Sequence, residues 1–191
     1  MGRLDSLDRI LTNRRSRRVF GTLDIQSLSQ LLWLTIKTCR ITPTASISGV
    51  EFRPLPSAGA CHVISTIVIQ TADAEPSTSL YENKSHSLLS LSPVEDVVSI
   101  RTAVGSVLAP GRGTILLFAA DTFKLADKYR DGESLAWRDA GVLIGGLSIA
   151  AEALKLSFCP LGFSGHELVQ SLLQSERFMG VGGCIVGARV N

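Results

Sequence analysis

The chain has 191 residues, room for one ordinary domain and too few for two full catalytic domains, so a site must be built within one core or between subunits. Hydrophobic residues make up 45% and charged residues 19%, a balance that disfavours disorder and excludes collagen-like, low-complexity and disulfide-scaffold classes. Lys and Arg total 19 against 17 Asp and Glu, a net charge of +2, which offers nucleic acid no global field and requires any anion site to be local.

In chain order, Leu4, Leu7, Ile10 and Leu11 recur at helical spacing and predict a first helix over about Leu4–Thr12, ending at an arginine cluster. Asp24 can cap a second helix whose apolar positions Leu28, Leu31, Leu32, Thr35 and Ile36 share a face, widened by Trp33 and Leu34, and which ends near Arg40. Thr42–Pro56, with three prolines and Gly49, reads as a long irregular connection. Val63–Gln70 is short and β-branched, hence a buried strand, and Thr114–Ala120 is its expected neighbour. Between them lie a polar stretch, a strand around Leu88–Leu91 and a helix from Val94 to about Leu108.

Ser134–Leu156 carries the longest helical pattern, apolar and small from Ala140 to Ala151, and an all-round apolar helix must be buried. Gly141, Gly145 and Gly146 weaken that helix and imply close packing against another element or subunit. A helix over Gly165–Gln174 and a closing strand over Val181–Val190 complete an α+β pattern in a single domain, residues 1–191.

Cys39, Cys61, Cys159 and Cys184 are widely spaced without C-x-x-C and read as buried free thiols. No metal site is expected: His166-Glu167 begins H-E-x-x-H, but position 170 is Gln, which removes the second ligand. Gly162-Phe163-Ser164-Gly165 is one residue short of a nucleophile elbow, no P-loop occurs, and Gly180–Gly183 precedes a strand rather than opening a helix. The first residues lack the apolar run of a signal peptide and no stretch reaches the ~20 apolar residues of a bilayer span. A cytoplasmic protein without membrane partners is therefore expected.

Arg14, Arg15, Arg17 and Arg18 crowd four guanidinium groups around Ser16. An anion relieves such crowding, and arginines with a hydroxyl between them can cover several phosphate oxygens. Alone, the cluster reads equally as a solvated basic turn. With Arg14–Phe20, RRSRRVF, followed at a distance by Arg53–Ala60, RPLPSAGA, the sequence resembles the FMN-dependent nitroreductase superfamily. The resemblance implies phosphate-side contacts at Arg14, Arg15, Ser16 and Arg18 and ring-side contacts at Pro56, Ser57, Ala58 and Gly59. Small residues there would let backbone approach a flat ring and offer it hydrogen-bond donors.

Within that superfamily the sequence is most similar to the SagB-type branch, dehydrogenases that aromatise peptide thiazolines and oxazolines. Leu80-Tyr81-Glu82 with His86 and Leu88 looks like that branch's strand pair, and Lys128-Tyr129 like its Lys-Tyr pair. Asp139-Ala140-Gly141 with Ala150-Ala151 and Leu154 looks like its long helix, followed in register by Pro160–Phe163 and the closing strand. Cofactor contacts at Leu161 and Gly162 are implied as well. Cys61-His62-Val63 stands where the branch has Leu-Tyr-Pro, and Val142, Gly145 and Gly146 replace His, Gln and Asn. His62 reads evenly as a flavin-pocket or an ordinary half-buried residue, and His86 as structural.

The resemblance implies an α+β nitroreductase-like fold with a mainly antiparallel sheet flanked by helices, acting as a homodimer with FMN at the interface. It also implies oxidation of a free, peptide-borne or carrier-bound azoline, with Lys128 or Tyr129 handling the proton. The alternatives are an NAD(P)H-dependent nitro or quinone reductase and a non-catalytic partner subunit.

Overall fold

The computed structural model describes residues 6–43, 50–70, 76–91 and 95–190. Its elements are α1 (Leu7–Asn13), α2 (Ile25–Thr35), β1 (Arg40–Thr42), β2 (Val50–Phe52), β3 (Ile64–Gln70), β4 (Ser77–Glu82), β5 (Ser87–Ser90) and α3 (Glu95–Gly105). There follow β6 (Thr114–Asp121), α4 (Thr122–Ala126), α5 (Glu133–Ala153), β7 (Leu156–Pro160), α6 (His166–Leu173) and β8 (Phe178–Ala188).

A six-stranded sheet in the order β5-β4-β3-β6-β8-β7 is antiparallel throughout. β3 and β6 pair as the sequence predicts. β6 is buried at every position because helices cover both faces. Its side chains alternate: Leu116, Phe118 and Ala120 join a core with α2, α4 and α5, while Ile115, Leu117 and Ala119 join one with α3 and α6. The fold is α+β, a mostly antiparallel sheet between two helical layers.

Asp24 caps α2 as expected, its carboxylate accepting the Ser27 N–H at 2.8 Å. The buried face is narrower than predicted, since Trp33 and Leu34 are exposed. α2 also stops at Thr35 rather than near Arg40. Beyond it the Thr38 and Cys39 N–H groups bond to the Asn83 and Phe52 carbonyls, drawing the chain into β1. The expected irregular connection therefore holds the end of β1 and all of its partner β2, and its residues 44–49 lie outside the described residues.

The long helix ends at Ala153, three residues short of the expected Leu156, which instead opens β7 on the sheet edge. Lys155, at φ +58°, makes the turn between them. Along α5, Ala136, Ala140, Leu143, Leu147 and Ala151 are buried. All-round burial does not occur within one chain, because Gly141 and Val142 are exposed and a methyl group built on Gly141 or Gly145 would meet nothing within 4 Å. Gly146 does pack closely, against Leu55. Cys61, Cys159 and Cys184 are buried free thiols, whereas Cys39 is exposed, contrary to expectation. Among the described residues no helix is long and apolar enough to cross a membrane, and no cluster of His, Cys, Asp or Glu could hold a metal ion.

Candidate active site

The P-S-A-G segment is held in an unusual backbone path. Gly59 and Ala60 both lie at φ +53° and His62 at φ +45°, and left-handed geometry costs a non-glycine residue roughly 1–2 kcal/mol. Asp139, buried on α5, offsets that cost. Its carboxylate accepts the Ser57 hydroxyl at 2.6 Å and the Ala58 N–H at 3.0 Å, while Ser57 Oγ in turn accepts the His62 N–H at 2.9 Å. The Ala58 N–H is thus already engaged, so that expected donor to a ring edge is committed to Asp139.

Lys128 and Tyr129 reach this loop from the end of α4, which Asp121 caps by accepting the Lys124 N–H at 3.0 Å. The backbone N–H groups of Lys128 and Tyr129 both return to the Leu125 carbonyl, which fixes where the two side chains start. Lys128 Nζ donates to the Gly59 carbonyl at 2.7 Å. A methyl group on Gly59 would fall 2.7 Å from Lys128 Nζ and also strike Tyr129 Oη, so only glycine leaves the space that both side chains use. The Lys-Tyr pair and the P-S-A-G segment come together.

Below the loop lies a charged support that sequence reasoning missed. Arg53 donates from Nε and Nη2 to Glu51 Oε2 at 3.2 and 2.8 Å, Thr38 donates to the same oxygen, and Lys84 stands 3.5 Å from Oε1. Burial alone would raise the Glu51 pKa, but the Arg53 hydrogen bonds and charge, with Thr38 and Lys84, hold it down to about 2. His62 Nε2–H donates to the Glu51 carbonyl at 3.0 Å, and burial followed by the Arg53 charge lowers the His62 pKa. His62 is half-buried beside the loop, and His86 bridges Ser29 and Tyr81 at 2.8 and 2.6 Å.

Arg14, Arg15, Ser16 and Arg18 lie elsewhere. All four are exposed, and among the described residues the three guanidinium groups have no carboxylate partner. Such a cluster is chemically suited to an anion. Arg17 instead turns inward toward Glu152, at 3.5 Å, and its backbone N–H bonds the Phe158 carbonyl of β7 at 2.9 Å. β7 leads directly into Leu161, which is buried with its N–H on the Gly183 carbonyl, and Gly162, which is exposed. The arginine segment and Leu161-Gly162 therefore both attach to β7, the first through the Phe158 carbonyl and the second as its direct continuation.

The predicted residues thus fall into two groups at opposite ends of α5. Asp139 holds the P-S-A-G loop and Glu152 meets the arginine segment, thirteen residues further on, roughly 20 Å along a helix axis. The sequence signal for Asp139 was a carboxylate on the same helical face as Ala136, Ala140 and Leu143, where burial demands a partner.

The sequence profile of the nitroreductase family matches residues 11–188. No curated protein matches the sequence. Among solved structures, a protein of Ralstonia eutropha JMP134 provisionally assigned as a nitroreductase superposes with a TM-score of 0.79 at 19% identity, over 100% of this chain and 86% of the other. The Escherichia coli microcin synthetase McbBCD complex with truncated pro-MccB17 bound matches with a TM-score of 0.68 at 17% identity, over 95% and 73%. A Staphylococcus epidermidis protein provisionally assigned as an NAD(P)H:FMN oxidoreductase has a TM-score of 0.68 at 10% identity, over 100% and 90%.

Proposed function

The chain belongs to the nitroreductase family, and we propose that it is an FMN-dependent dehydrogenase of the SagB type that oxidises a thiazoline or oxazoline to the aromatic azole. The observation that carries this reading is the convergence of Lys128 and Tyr129 on Gly59. A reductase fed by a nicotinamide needs no such pair, whereas aromatising an azoline requires a group that takes the ring proton.

Residues on both sides fit FMN. Arg14, Arg15 and Arg18, exposed and without a carboxylate partner among the described residues, offer their guanidinium groups, with the Ser16 hydroxyl, to a phosphate. Leu161 and Gly162 follow β7, the strand that also takes the Arg17 N–H, and Pro56, Ser57, Ala58 and Gly59 would line the ring side, with Lys128 and Tyr129 over Gly59. Bound FMN would supply a two-electron acceptor for the hydride leaving the azoline carbon. Lys128 as the free amine, or Tyr129 as the phenolate, would accept the neighbouring proton. Lys128 Nζ, fixed by the Gly59 carbonyl and 5.8 Å from the Tyr129 ring centre, would in the second case supply the positive charge beside the phenolate.

A homodimer with FMN at its interface would bring the two separated residue groups together. A twofold would place the arginine segment of one copy beside the P-S-A-G loop of the other, and the open Gly141–Gly145 face of α5 suits such contact. The substrate is a small molecule or an azoline carried on a peptide or carrier protein, in the cytoplasm. The visible spectrum of the purified protein tests the cofactor. Yellow protein releasing one FMN per chain on denaturation supports the reading, and colourless protein that excess FMN cannot reconstitute contradicts it.

A further inference from the structure

Between the end of α1 and the buried Phe20, only Arg17 turns inward, while Arg14, Arg15, Ser16, Arg18 and Val19 all face solvent. The segment has no regular structure of its own, and its mutually repelling guanidinium groups cannot fix one another. Two contacts hold it at the centre, and both belong to Arg17: the backbone bond to Phe158 and the ion pair to Glu152. Glu152 is 4% exposed, and a buried carboxylate is stabilised by paired cations. Arg17 and Arg189 converge on the same oxygen, Oε2, at 3.5 and 2.7 Å. Arg189 comes from the end of β8 and additionally donates to the Leu156 carbonyl, so Glu152 ties the arginine segment to the sheet.

We propose that Glu152, acting through Arg17, is the positioning residue that aims Arg14, Arg15 and Arg18 at a phosphate. The proposal rests on reading that segment as the grip on the FMN phosphate. It removes Arg17 from the set of solvated arginines and makes it the pivot of the other three. A guanidinium anchored in a carboxylate at one fixed place presents its neighbours in a fixed direction, which lowers the ordering cost when the anion arrives.

Flavin fluorescence titrations with FMN and with riboflavin, which lacks the phosphate, test this on the intact protein. Wild type should prefer FMN. Arg17→Ala and Glu152→Gln should each weaken FMN by about tenfold or more, equivalent to ~1.4 kcal/mol, with riboflavin held within about twofold. Arg189→Ala, which disturbs the same carboxylate without touching the segment, should leave the FMN-to-riboflavin ratio unchanged. Equal losses for both flavins, or none, overturn the positioning role. If Arg17, whose Nη1 is buried without an acceptor, binds the phosphate itself, then Glu152→Gln frees it and FMN binds as tightly or more so, which also overturns the proposal. Should Glu152→Gln not fold, since it strands two half-buried guanidinium groups, the contrast between Arg17→Ala and Arg189→Ala decides. Wild type binding both flavins equally instead refutes the phosphate reading on which the proposal rests.

Discussion

Asp139 accepts the Ser57 hydroxyl at 2.6 Å across 82 residues of sequence, and this one carboxylate also holds the Ala58 N–H. A helix residue thereby dictates the path of a loop containing three left-handed positions. Asp139→Ala should cost about 3 kcal/mol in urea unfolding, because it strands two donors in a largely buried place. A loss under 1 kcal/mol would mean that the loop holds itself.

Gly59 sits directly under Lys128 and Tyr129. Gly59→Ala adds a side chain at φ +53°, a cost of roughly 1–2 kcal/mol, and pushes both side chains away. Urea denaturation should report a loss of that size, while azoline oxidation should fall much further. Retention of full activity would separate the Lys-Tyr pair from this glycine.

Glu51 governs acid stability. Its native pKa of about 2 lies below its ordinary value of 4.5, so the folded state binds fewer protons than the unfolded state between those limits. The stabilisation is complete above pH 4.5 and is lost as pH falls toward 2. The lowered His62 pKa acts with the same sign, losing stability as pH falls below its ordinary 6.5. Glu51→Gln should flatten the decline of unfolding free energy between pH 4.5 and 2, as followed by thermal melts across that range. An unchanged slope would place the acid sensitivity in other groups.

Sites shared between two copies should complement. Chains carrying both Arg14→Ala and Arg18→Ala, and chains carrying Lys128→Ala, are each expected to be nearly inactive. Co-refolding equal amounts should restore about a quarter of wild-type activity, since half the dimers are mixed and each mixed dimer has one intact site. No recovery, with mixed dimers shown by mass spectrometry, would place each site within one chain.

β6 was legible because a strand covered on both faces reads as one apolar run. β7 was not, because it is only five residues long and starts three residues after α5, so Leu156 was read as the end of the helix. The β1–β2 hairpin escaped notice because β1 is exposed at all three positions and carries no alternation. The arginine cluster, the P-S-A-G segment and the Lys-Tyr pair were each visible as local patterns. Their arrangement was not: which of them meet is decided by α5, through Asp139 at one end and Glu152 at the other, and no spacing in the sequence encodes that.

The central claim is that Lys128 and Tyr129 serve proton removal from an azoline, and anaerobic bleaching of the flavin measures it most directly. FMN-loaded protein mixed with a thiazoline should bleach, whereas Lys128→Ala or Tyr129→Phe should slow bleaching by about 10²- to 10⁴-fold, the usual contribution of a positioned acid or base, with the flavin spectrum otherwise intact. Rapid bleaching by NADPH, none by thiazolines and no effect of either substitution would contradict the dehydrogenase and leave a nitro or quinone reductase in its place.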